Sequence, residues 1–211
     1  MKLFKMKSLN GDGLLHVLDM MIHERIYLST YHSLNDIDEG NWAYENSPDL
    51  HYLSVAKPVR KLLERQRFTS FIRSINNPLM WAHYAGGFSG VALEYDLDLK
   101  VLDIRKIDYI GDPKVSLEDL KKIANRTILP QDIGILRSKA PCWKYEDEWR
   151  LYGNSKENYL RSTKLKALIF GIKGESIEYD LLKTICDKFK VQMGYLAPLN
   201  TGDLKYQVVY V

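Results

Sequence analysis

The sequence predicts an α+β fold: one domain over residues 1–211, with a mixed, mainly antiparallel sheet flanked by helices. Three observations lead there. Apolar residues recur at helical spacing in a few segments, Leu14, Leu18, Met21 and Ile22 among them, while others alternate or cluster as β-branched and aromatic residues do in strands. Several strand-like segments follow one another with no helix between them, which argues against a doubly wound parallel sheet. No internal repeat, low-complexity stretch or long Gly/Ser/Pro linker divides the chain.

In chain order, Leu3–Met6 reads as a short strand and Asn10-Gly11-Asp12 as a turn. Gly13–Glu24 follows as an amphipathic helix and Arg25–Thr30 as a strand. After the polar loop Ser33–Gly40, Pro58 suits the first turn of a helix running to about Gln66. Arg67–Ile72 is a strand, Leu79–Ala85 a short helix closed by Gly86-Gly87, and Gly90–Tyr95 a strand. Val101–Ile110 holds one or two strands. Ser116 caps a helix to about Thr127, and a second helix follows Pro130. Glu148–Tyr152 alternates as a strand does, and the apolar run Leu165–Ile172 suits a central strand. A helix over Ser176–Phe189 and strands at Val191–Leu196 and Tyr206–Val211 complete the chain.

Composition bounds the function classes. A net charge of +3 is too small to argue for nucleic acid. The densest basic cluster, Lys57, Arg60, Lys61, Arg65 and Arg67, reads as a solvated helix face. The two cysteines, Cys142 and Cys186, fit no zinc spacing. With no secretory signal pattern at the start and no apolar run of about 20 residues, the expectation is a cytoplasmic protein without a membrane span. There is no P-loop, GxGxxG, HExxH or GxSxG motif.

Two segments concentrate chemistry. The first runs from Lys139 through Trp143 to Glu146-Asp147-Glu148-Trp149-Arg150. On a strand, Glu146, Glu148 and Arg150 share one face, so that the two carboxylates repel and one pKa rises unless a cation or hydroxyl intervenes. The bland alternative makes Glu148 and Arg150 a surface ladder and Trp149 a core residue. The second segment is Asn77–Gly87, which puts Trp81, His83 and Tyr84 on a short helix before a glycine turn; a packed, hydrogen-bonded His83 is the plainer reading of that histidine. Tyr27 and Ser29, on one face of a predicted strand, offer an aromatic wall and a hydroxyl to a flat ligand, with Asn35-Asp36 nearby in the loop.

These blocks carry a resemblance. NPLMWAHYAGGFSGVALEYD and KAPCWKYEDEWRLY, with Asn35-Asp36 upstream, resemble a large bacterial family catalogued as a domain of unknown function, number two-nine-seven-one. The likeness spans about Leu14 to Tyr152 and rests on a MWxHY block and a KxxxWxxExEWR block. The chain departs from the family at Asn35-Asp36-Ile37-Asp38-Glu39, where Asn-Asp-Pro-Phe-Glu is usual. A weaker similarity, in the order of elements, is to ADP-ribosyltransferase-like domains. It implies a split sheet, NAD as co-substrate, Tyr27 and Ser29 bounding the nicotinamide pocket, and Glu148 as catalytic acid. Lys5 and His16 are poor stand-ins for the early Arg or His of that class.

Three functional readings remain open at this point. One is an NAD-using transferase, in defence or toxin biology, with a nucleic acid or protein acceptor. Its catalytic group would be Glu148 with Glu146 and His83; Tyr27, Ser29, Trp81, Tyr84, Lys139 and Arg150 would hold the nucleotide, with Arg150 or Lys139 on its pyrophosphate. A second is a metal-dependent phosphodiesterase in which Glu94, Glu146, Glu148 and His83 ligate the ion and Lys139 pairs with charge. The third is a binding module for a small-molecule ligand, with a pocket of Trp81, Tyr84, Trp143 and Trp149. All three require residues of the two tryptophan-bearing blocks to converge in space.

Overall fold

The computed structural model describes all residues except 35, 37, 45–49, 155, 162, 175–176 and 200–204. The chain starts with β1 (Lys2–Lys7), α1 (Gly13–Ile22) and β2 (Arg25–Tyr27), the Asn10-Gly11-Asp12 turn lying where the sequence puts it. A short β3 (Ala43–Tyr44) precedes α2 (Leu50–Leu63). This helix starts well before Pro58, which sits in its interior rather than its first turn. Burial of Tyr52, Ala56, Val59 and Leu63 at helical spacing outweighs the one backbone hydrogen bond a proline forfeits. Its basic residues Lys57, Arg60 and Lys61 do face solvent.

Next come β4 (Arg67–Ile72), α3 (Pro78–Tyr84), β5 (Val91–Asp96), β6 (Asp103–Lys106), β7 (Lys114–Val115) and α4 (Leu117–Ala124). Two side-chain caps are present, and Ser116 is the one that its residue type predicts. The Asn77 side chain accepts from the Leu79 N–H at the start of α3, and Ser116 Oγ accepts from Asp119 N–H at the start of α4. The helix expected after Pro130 is a single 3-10 turn, Pro130–Ile133, which Gly134 ends in the left-handed conformation. The chain closes with β8 (Glu148–Gly153), β9 (Tyr159–Arg161), β10 (Leu165–Phe170), α5 (Ile177–Phe189), β11 (Gln192–Pro198) and β12 (Tyr206–Tyr210). Ser176, expected at the start of α5, lies outside the described residues.

Eight strands form the main sheet in the order β12-β11-β10-β5-β1-β4-β8-β6. Every neighbouring pair is antiparallel except β10 and β11, which α5 connects as a crossover. The fold is therefore α+β with a mixed, mainly antiparallel sheet, as predicted. β2 with β9 and β3 with β7 make two small satellite ribbons.

One junction in the sheet is incomplete. β1 pairs with β5 through all six residues, Lys2↔Asp96 to Lys7↔Val91. On its other side it meets β4 at a single position, Phe4↔Ile72, while β4 pairs fully with β8. Beyond Phe4 the two strands part and the sheet forks.

Apolar clusters fix the layers around this fork. Leu3, Phe71, Leu93 and Leu168 pack under α1 and α5 on one face. On the other face α2 and α4 cover Phe68 and Tyr152, and α3 covers Phe4, Ile72 and Ile169. Fully burying each such side chain contributes roughly 1.5–3 kcal/mol. Along β4, Ser70 lies between Phe68 of one cluster and Ile72 of the other. A polar seam thus runs across this face beside the fork.

Candidate functional site

The seam is built from the second block. Lys139 is fixed by backbone bonds to a neighbouring segment, its N–H donating to Asp108 O (2.9 Å) and its carbonyl accepting from Gly111 N–H (2.9 Å). Residues Pro141–Glu146 then form a 3-10 turn that ends at Asp147 with φ +43°. That left-handed residue separates Glu146 from the strand, which starts at Glu148. The expected single strand face of Glu146, Glu148 and Arg150 is therefore corrected: only the last two share it, and Glu146 reaches the same place from the turn. Tyr109 Oη accepts the Glu148 N–H (2.7 Å) and pins the strand entry.

The carboxylates are held by cations and hydroxyls. Arg150, fully buried, donates from Nε (3.0 Å) and Nη2 (2.8 Å) to Glu148 Oε1, and from Nη1 to Glu39 Oε1 (2.5 Å) and the Leu136 carbonyl (2.6 Å). Ser70 donates to Glu148 Oε1 (2.5 Å). Lys139 Nζ lies 2.7 Å from Glu146 Oε2 and 3.0 Å from Glu148 Oε2. The Tyr84 hydroxyl donates to Glu146 Oε1. Burial alone would raise the Glu148 pKa, but Arg150, Lys139 and Ser70 more than offset it and hold the carboxyl at about 2. The raised carboxylate expected from the sequence is instead Glu39, where burial outweighs Arg150. Burial opposes the Lys139 charge too, yet its two glutamates raise its pKa.

Across the fork sits a lysine in the opposite situation. Lys5 Nζ is 2.6 Å from Thr69 Oγ1 and 3.2 Å from the Ser70 carbonyl, bridging the gap where β1 and β4 part. Burial, with Lys7 adding repulsion, pushes it down to about 7, and Glu148 is too distant to restore it. Lys7, on the same face of β1, is also lowered by burial. Among the described residues no carboxylate lies within ion-pair distance of either lysine.

The fork opens into two adjoining chambers. The inner one, about 260 Å³, is lined by Lys5, Ser70, Tyr84, Lys139, Glu146 and Glu148. The outer one, about 940 Å³, has Asp12, just before α1, with His16 and Asp19 of α1 on one side and Tyr27 and Tyr159 on the other. Lys5, Lys7, Ser29, Ser33 and Thr69 border both. Tyr27 and Tyr159 stack edge to face with centroids 5.6 Å apart, and Tyr27 is 53% exposed.

The structure thus gathers Glu146, Glu148, Lys139 and Tyr84 from blocks some sixty residues apart, and sets Tyr27 and Ser29 along the outer chamber. Other expectations need correction. Trp81 is wholly in the core, its Nε1 donating to Ile75 O (2.8 Å) and its ring stacked on Phe88, so it faces no ligand. Arg150 is sealed beneath Glu148, out of reach of a pyrophosphate. His83 is exposed on the far side of α3 against Tyr145, outside both chambers. Glu94 bonds Lys2 (2.7 Å) and Tyr210 (3.0 Å) at another part of the sheet, so the proposed metal set is not assembled; among the described residues no three such ligands gather. Of the tryptophan pocket only Tyr84 borders the chambers, and Asn35 lies outside the described residues.

The sequence gives no prominence to Lys7, Ser70 or Glu39, and Lys5 enters there as a poor stand-in for an early Arg or His. A signal for the lysines existed: Lys5 and Lys7 alternate in phase with Leu3, the core residue of β1, so they point where an apolar residue belongs.

No helix among the described residues is long and apolar enough to cross a membrane. No curated protein and no solved structure matches the chain significantly. Residues 80–151, the stretch holding the MWxHY and KxxxWxxExEWR blocks, match the model of a family described as Protein of unknown function (DUF2971), the family that these motifs resemble.

Proposed function

We propose that the forked cleft binds NAD and that the chain transfers ADP-ribose from it. The observation that carries this reading is the state of Glu148: a buried carboxylate kept ionised at the floor of a cleft, where positive charge on a ribose would develop. Cleavage of the nicotinamide–ribose bond passes through an oxocarbenium-like state, and a fixed anion stabilises that state more than the ground state. Glu148 Oε1 is taken up by Arg150 and Ser70, whereas Oε2, itself buried, meets among the described residues the Lys139 ammonium alone, which leaves it acceptor capacity for a ribose hydroxyl. Lys7 and the Thr69 hydroxyl, which accepts from Lys5 and keeps its own hydrogen to donate, suit a diphosphate, and Tyr27 with Tyr159 suits a flat base. The outer chamber, about 940 Å³, falls within the range of about 300–1,000 Å³ usual for small-molecule pockets. Lys139 is kept by its glutamates and positions them; it is not available to phosphate.

Titration calorimetry with NAD and chromatographic assay of released nicotinamide test this. Binding and turnover are expected, and Glu148→Gln should lower the turnover rate about 100- to 1,000-fold while NAD still binds. Absence of NAD binding at millimolar concentration would defeat the proposal.

A further inference from the structure

The Lys5 amine has a setting of its own. In the neutral form a lysine nitrogen has two N–H bonds and one lone pair. Thr69 Oγ1 and the Ser70 carbonyl are two acceptors at hydrogen-bonding distance, and the carbonyl can only accept. Both N–H bonds are thereby occupied, the Phe71 ring centroid lies 5.6 Å from Nζ, and Lys5 borders both chambers. No carboxylate of the described residues is close enough to keep a proton there, and Lys7 two residues on disfavours the cation further. A lysine desolvated next to another cation is the arrangement that makes an amine nucleophilic at neutral pH. Glu148 is near enough to be felt by Lys5, so both groups face the inner chamber.

We propose that Lys5 is an amine nucleophile that forms an imine with the C1 aldehyde of a phosphorylated pentose. The Nζ lone pair adds to the carbonyl carbon and the C=O π bond becomes a hydroxyl, which takes a proton from nitrogen. The carbinolamine then expels that oxygen as water, leaving C=N; nothing is oxidised or reduced. Lys7, on the same face of β1 and bordering both chambers, binds the phosphate. The inference goes beyond the NAD reading and stands without it, since a free sugar phosphate in its open-chain form suffices; if that reading holds, the ribosyl C1 it frees is the same kind of carbon.

Ribose 5-phosphate with cyanoborohydride at pH 7, followed by peptide mass mapping of the full chain, tests it. One dominant reduced adduct on Lys5 is expected. Lys5→Arg should abolish it, and Lys7→Met should slow it about tenfold by weakening the phosphate contact. Adducts spread over exposed lysines such as Lys57 in the wild type, with Lys5 unmodified, would overturn the proposal whether or not any variant folds. Lys5 labelling in a protein that fails to bind NAD supports this inference and removes only the transferase reading. NAD turnover without Lys5 labelling does the reverse.

Discussion

The two walls of the cleft each present a lysine, and the two differ in everything but side-chain type. Lys139 faces two glutamates within 3.0 Å and is held as a cation. Lys5 faces a hydroxyl and a carbonyl and is pushed down to about 7. Both ammonium groups lose water, so desolvation does not distinguish them. What differs is whether a fixed anion repays that loss. The carboxylate wall is a closed network of three acids, two bases, a serine and a tyrosine. The β1 wall, where the sheet forks, is a short stretch of strand whose Lys5 and Lys7 have no acid within ion-pair distance among the described residues. The first wall suits holding charge in place, and the second suits giving up a proton.

The sharpest way to break this contrast is at the centre of the closed network. Arg150→Met removes the cation shared by Glu39 and Glu148 and leaves both carboxylates buried with less compensation. A loss of roughly 3–5 kcal/mol in urea unfolding is expected, because the surviving charges keep their desolvation cost. A loss under about 1 kcal/mol would mean the network contributes no more than a surface ion pair does.

Titration of the other wall should have the opposite character. Lys5 has a folded pKa near 7 against 10.5 for a free lysine. Between those values the unfolded chain binds the extra proton, so stability rises with pH across that window; below pH 7 both states are protonated and the burial cost is felt in full. Lys5→Met should therefore stabilise the protein at pH 6, by about 1–2 kcal/mol once partial solvent screening is allowed for, and the gain should shrink toward pH 10. A Lys5→Met gain that does not vary with pH would show that Lys5 is charged on both sides of the window.

How far the cleft was legible in the sequence follows the same division. Strand and helix identities were readable where local pattern decides them: Arg67–Ile72, the cap at Ser116, and the interior strand starting at Leu165. Pro58 misled because its local signal for a helix start lost to the apolar stripe before it. Glu146, Glu148, Lys139 and Tyr84 were legible as site residues since they are packed into two dense motifs. Arg150 and Trp81 belong to the same motifs yet serve them from beneath, and spacing cannot tell a lining residue from a supporting one. Lys5 looked a poor candidate because its setting depends on where β1 and β4 part, a non-local event set by pairing at Phe4↔Ile72 alone.

The smallest expected effect probes how the acidic wall reaches the helical block. Tyr84→Phe deletes the hydroxyl that donates to Glu146 but leaves Lys139 on the other carboxylate oxygen. Because Glu146 keeps its ion pair, the cost should be that of one hydrogen bond to a charged group, about 1–2 kcal/mol in urea unfolding. A cost above about 3 kcal/mol would mean that the phenol, rather than the ammonium, is what keeps the buried carboxylate in place. Lys139 would then be held chiefly by Glu148, and its distinction from Lys5 would rest on one anion instead of two.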